Sequence, residues 1–145
     1  MKGNYRLAAV FFFFALLLAS TNAQQVNFEV MLVEALNGDR KKDPKLSRIE
    51  SALHLAIGRR YDTFKYVGGV RKSINVPGKA ALELGAGYAA SIEARALAGD
   101  RVTAKVRWTK GKTIVDTTFS ASKGTPTVYA RPQGSRAKLL VIIPR

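Results

Sequence analysis

One histidine, ten carboxylates and no cysteine are the supply of imidazole, carboxylate and thiol groups for nucleophilic, proton-transfer or metal chemistry in this chain. His54 stands between Leu53 and Leu55. A general base needs an orienting partner and a nucleophile within reach. His54 falls on the flank of a helical pattern with neither beside it, so it reads as a solvated residue. Glu29 and Glu34 lie in the alternating run "VNFEVMLVEAL". Five residues apart on a strand, they face opposite sides and make a poor carboxylate pair. "GAGYAA" at 85–90 carries glycines but lacks the G-x-G-x-x-G spacing, a P-loop lysine and a following helix, so a turn or bulge is expected there. The sequence holds no His-x-x-x-His, no calcium loop and no serine-centred glycine elbow. Tyr61, Phe64, Tyr66, Tyr88 and Tyr129 are scattered and read as core or rim. Without cysteine there is no disulfide, thiolate site or lipid-acceptor thiol. The expectation is a protein that is not an enzyme and that uses no cofactor or metal.

Binding chemistry is better supplied. In "RVTAKVRWTKGKTIVDTTF", Arg101–Phe119, basic residues are interspersed with apolar ones. A surface that binds single-stranded nucleic acid needs exposed aromatic rings beside its cations. Alternation works against that here: Val102, Ala104, Val106 and Trp108 share one face, while Arg101, Thr103, Lys105, Arg107 and Thr109 share the other. Trp108 is therefore expected in the core and the cations in water. Lys105, Arg107, Lys110 and Lys112 form the candidate polyanion-binding patch, two on one strand face and two flanking the turn. Phosphate attraction fits this pattern; base stacking does not, and nucleic acid is an unexpected partner.

The elements that must position these residues follow from periodicity. Val26, Phe28, Val30 and Leu32 alternate with Asn27, Glu29 and Met31, which is a strand. "NGDRKKD" is a loop. Asp43 is a good N-cap with Pro44 at the first helical position. Leu46, Ile49, Leu53, Ala56 and Ile57 recur at helical spacing, and Gly58 marks the end. Beyond Gly58, short apolar runs are separated by turn signals about every 8–12 residues. Strands are expected near 63–67, 70–76, 79–84, 88–97, 101–109, 113–120, 126–131 and 137–143, the pair joined through "KGK" being the best marked. The fold class is mainly β with one α-helix in the N-terminal half. It should be an antiparallel sandwich or curled sheet with the helix packed on one face or edge.

The first residues bear on compartment. Lys2 and Arg6 precede an apolar run of 13 residues, Leu7–Ala19, followed by "STNA". This is the order of a secretory signal peptide cleaved after Ala23. The run is short of the roughly 20 apolar residues a spanning helix needs. Residues 1–23 are thus read as the signal and 24–145 as a single exported domain, periplasmic or extracellular, with no transmembrane span. The lack of cysteine and of glycosylation sequons fits a bacterial source. Removing Lys2 and Arg6 lowers the net charge from +14 to +12. A field of that sign attracts lipopolysaccharide phosphates, anionic lipids and acidic proteins, though charge of this size also serves solubility.

The closing segment "DTTFSASKGTPTVYARPQGSRAKLLVIIPR" resembles the last strands of the secretin family, the outer-membrane channels of type II and III secretion. Thr118, Gly124, Thr125, Pro126, Val128 and the run Leu139–Arg145 carry the resemblance. The family's double glycine after the valines is replaced by Tyr129–Pro132, and its lip-forming insertion is missing. The resemblance covers residues 118–145 and implies a related β-domain acting as an accessory of a secretion or outer-membrane assembly. Two readings therefore stand: an exported domain acting by protein interaction, and a basic binder of envelope polyanions. The expected partner is an envelope protein or an anionic envelope component.

Overall fold

The computed structural model describes residues 24–38 and 40–145, so the expected signal peptide lies outside the described residues. Eight strands form two antiparallel four-stranded sheets. β1 (Gln24–Leu36), β2 (Thr63–Val76), β7 (Thr127–Gln133) and β8 (Arg136–Pro144) make the first, in the order β2-β1-β8-β7. β3 (Gly78–Gly85), β4 (Tyr88–Ala98), β5 (Arg101–Lys110) and β6 (Lys112–Ser122) make the second, in sequence order. Between β1 and β2 the chain forms a 3-10 helix (Pro44–Ile49) that runs into α1 (Glu50–Ile57). The protein is a β-sandwich with a single helical segment on one outer face. No described helix is long and apolar enough to cross a membrane.

Period-two alternation builds the interior. Val26, Phe28, Val30 and Leu32 of β1 and Leu140 and Ile142 of β8 face Leu82, Ile92, Ala104, Val106 and Trp108 of the second sheet. The other face of β1 and β8 is also covered: Met31, Val33, Ala35, Leu139, Val141 and Ile143 pack under Leu46, Ile49 and Leu53 of the helical segment. Strands buried on both faces lose the polar half of the alternation. That is why "KLLVII" reads as a continuous apolar run.

The helical segment differs from the expected single α-helix. Asp43 caps it as expected, its carboxylate accepting from Lys45 N at 3.0 Å, but the first six residues are 3-10. Three residues per turn aligns Leu46 directly with Ile49. α1 then adds Leu53 to the same line, and Ala56 falls to the exposed side.

The largest departure concerns Gly68 and Gly69. Their "GG" reads as a turn between two strands, yet β2 runs through them unbroken. A Cβ on Gly68 would stand 2.2 Å from the carbonyl oxygen of Leu84 on β3, and one on Gly69 would stand 2.5 Å from the Tyr66 hydroxyl. Gly68 serves close backbone approach, where β2 of one sheet crosses against β3 of the other, and Gly69 leaves room for the Tyr66 ring and the Val30 carbonyl of β1. The β1–β2 register shifts beside them, between Leu32 and Val33. Gly85–Gly87, by contrast, is the expected turn, with all three residues at positive φ.

Candidate functional site

Trp108 is fully buried, and Arg107 beside it is exposed. Alternation thus separates the aromatic from the cations, as expected. The structure brings Lys105 and Arg107 together on the outward face of the second sheet. It also places acids among them. Lys105 Nζ lies 3.6 Å from Asp116 Oδ1, and Glu93 stands directly across from Lys105 on β4. Asp116 stands across from Arg107 on β6. Arg107 itself donates from Nε and NH2 to Thr113 Oγ1 at 3.3 and 3.1 Å. Lys110 and Lys112 face each other at the turn. Lys110 shares the parity of Trp108, so its stem follows the core rim and its ammonium sits 4.6 Å from the centroid of the Tyr88 ring. The hairpin therefore splits: two cations face outward among carboxylates, and Lys110 turns to an aromatic face.

A denser cationic cluster lies on the outer face of the first sheet, beyond the end of the helical cover. At its centre is Glu29, 7 % exposed, on a strand otherwise filled with apolar side chains. A buried carboxylate must be paired, and Glu29 has three guanidinium partners. Arg145 places both Nε and NH2 at 2.7 Å from Oε2. Arg48, from the 3-10 helix, reaches Oε1 at 3.3 Å, and Arg71, opposite Glu29 on β2, approaches it at 3.7 Å. Burial alone would raise the pKa of the Glu29 carboxyl. The Arg145 hydrogen bond and the charges of Arg145, Arg71 and Arg48 outweigh it, so the pKa lies below the ordinary 4.5. A cleft of about 330 Å³ opens beside the cluster, lined by Asn27, Arg71, Lys72, Ser73 and Arg145.

Glu34 repeats the arrangement on the opposite face of β1, as the five-residue spacing requires. It accepts from Lys138 and, at 3.2 Å, from Arg136. The Lys138 hydrogen bond holds its pKa down against burial, aided by the charges of Lys138, Arg136 and Lys65. The two glutamates never meet. His54 is half-buried; its ring meets Phe64 edge-on with centroids 5.0 Å apart, and Nε2 lies 3.8 Å from Glu50 Oε1. Tyr61 and Tyr88 are core residues, and Tyr66 stacks under the Lys45 ammonium at 4.8 Å. Among the described residues no group of three or more His, Cys, Asp or Glu is placed to hold a metal ion.

The chain matches no protein-family model, no curated protein and no solved structure. Its chemistry is therefore read from its own residues. Sequence reasoning missed Arg48, Arg71 and Arg145, which are far apart in the chain and meet only through the β2-β1-β8 register and the packing of the 3-10 helix on that sheet. One signal was available: an acid between Phe28 and Val30 on a strand too apolar to leave it in water.

Proposed function

We propose that this chain is a non-enzymatic, exported binding domain whose partner is an anionic component of the cell envelope. The observation that carries the reading is the surplus of cations around each buried acid: three arginines surround Glu29, and Lys138 and Arg136 hold Glu34. Pairing consumes one charge at each centre and leaves the remainder facing solvent. The sequence of residues 1–23 supports export. The test is binding of the exported protein to lipopolysaccharide and to anionic vesicles across a salt series. Affinity should be measurable at low salt and fall steeply as salt rises, because charge attraction is screened. Absence of binding at low salt refutes the reading.

A second reading, docking to an envelope protein, draws on the helical segment. Leu55 is 88 % exposed at the rim of an open depression of about 940 Å³ that also takes in Arg40, Ser51, His54 and Arg59. The accessory role in secretion or outer-membrane assembly implied by residues 118–145 belongs to this reading. It expects a protein captured from envelope extract at high salt and lost on Leu55→Glu.

A further inference from the structure

The cleft beside Glu29 differs from the rest of the basic surface in how its cations are held. On the hairpin, Lys105 is half-buried and Arg107 exposed, and both are neighboured by acids, Asp116 and Glu93. At Glu29 the carboxylate lies beneath the surface and works as an anchor. Arg145 is fixed twice over. Its side chain grips Oε2 through two nitrogens, and its backbone N–H donates to Asn27 O at 2.6 Å while Asn27 N–H donates to Arg145 O at 3.3 Å. Arg71 is set by the β1–β2 register, which places it directly opposite Glu29. Arg48 holds the other carboxylate oxygen from the helical side. A guanidinium carries five donors in a rigid fork, so one that spends one or two on Glu29 still presents others outward.

We infer that the cleft formed by Arg71, Lys72, Ser73 and Arg145 over Glu29 is a binding site for a phosphate monoester group. The inference rests on the anionic-partner reading above and gives it a location. Three guanidinium groups, Arg48, Arg71 and Arg145, meet one acid, Glu29, which leaves an excess of two positive charges at the cleft, matched by a dianion. Arg71 approaches from β2, Arg48 from the 3-10 helix and Arg145 from the residue after β8, so the donors converge from three segments of the chain. Arginine forks bind phosphate oxygens through paired, charge-assisted hydrogen bonds. The volume of about 330 Å³ lies at the lower end of the range for small-molecule sites, enough for a phosphate and the first atoms of whatever carries it.

Phosphate monoesters occur free and as lipid headgroups, and two probes separate these sources. Inorganic phosphate is titrated into the exported protein by NMR or calorimetry at low salt. Flotation is run with vesicles containing phosphatidic acid, a monoester, or phosphatidylglycerol, a diester of lower charge. Saturable one-to-one phosphate binding is expected, with phosphatidic acid preferred over phosphatidylglycerol. Arg71→Gln should weaken phosphate binding by about tenfold or more, the loss of one charge-assisted pair. Arg71→Lys keeps the charge but loses the fork and should fall between. Arg71 is exposed, so both variants should fold, which a thermal melt checks. Lys105→Gln with Arg107→Gln removes two charges elsewhere and should leave phosphate affinity within about twofold, since distant surface charges are screened. Binding weakened equally by the Arg71 and hairpin variants overturns the site while leaving the anionic-partner function standing. So does equal binding of the two lipids without saturable phosphate binding. No binding to phosphate or to either vesicle at low salt overturns both.

Discussion

Trp108 has its whole side chain out of water and its indole N–H without an acceptor. Two opposed terms follow. Truncation to alanine opens a large cavity and should cost about 3–5 kcal/mol. Trp108→Phe leaves a smaller cavity and also removes a donor whose lack of a partner costs about 1–3 kcal/mol. Its net penalty should therefore be less than half that of Trp108→Ala. Arg107→Ala, next in sequence and exposed, should change stability by no more than about 0.5 kcal/mol. Denaturant melts on the three variants check the ordering; equal losses at 107 and 108 would contradict it. The buried acids give a pH prediction. Both Glu29 and Glu34 have folded pKa values below the ordinary 4.5. Their contribution to stability is present above about pH 4.5 and is lost as pH falls through the lowered folded values. Melting temperature should thus drop on acidification below about pH 4.5, and Glu29→Gln with Glu34→Gln should flatten that limb while lowering stability at pH 7. The burial of Trp108 was legible because alternation needs no partner to be known. The pairing of Glu29 was not, because its arginines belong to other strands and to the 3-10 helix.

The hairpin β5–β6 and the helical segment were legible as elements for a local reason: each carries its own period and its own stop signals. β2 was misread because "GG" has two physical uses, a turn and a close approach, and sequence alone does not separate them. That distinction is measurable. Gly68→Ala sets a methyl against the backbone oxygen of Leu84, which cannot swing aside, and should cost about 3 kcal/mol, the upper part of the overpacking range. Gly58→Ala, at the end of α1, meets nothing within 4 Å but must adopt φ near +67°. With ψ near −155° this conformation is open essentially to glycine alone, and an alanine there costs about 1–3 kcal/mol. Gly68→Ala should be the more damaging by thermal melt, and the reverse order would restore a turn at residues 68–69. Element boundaries elsewhere followed from turns at Gly85–Gly87 and around Gly111. The order of strands did not follow, because nothing in "KLLVII" says that its neighbours are β1 on one side and β7 on the other.

At the scale of the molecule, the charge surplus acts on stability as well as on binding. A net charge of +12 over the 24–145 domain repels itself in the folded state. Raising salt from about 10 to 150 mM shortens the screening length from roughly 30 to 8 Å. The denaturation midpoint in urea should therefore rise over that interval, since repulsion between exposed cations is screened more than the pairs at Glu29 and Glu34. A fall would mean that the ion pairs dominate. The sheet order β2-β1-β8-β7 has a consequence in time. β1 is the first of the described strands along the chain, and β8, its neighbour along nine residue pairs, is the last. Such distant pairing delays the folding nucleus, since loop closure precedes any reward. Until the final residues emerge, β1 has β2 on one side and no partner on the other, and the core under Leu140 and Ile142 has no floor. The polypeptide thus carries its own delay: the sandwich cannot close until β8 is free to pair with β1.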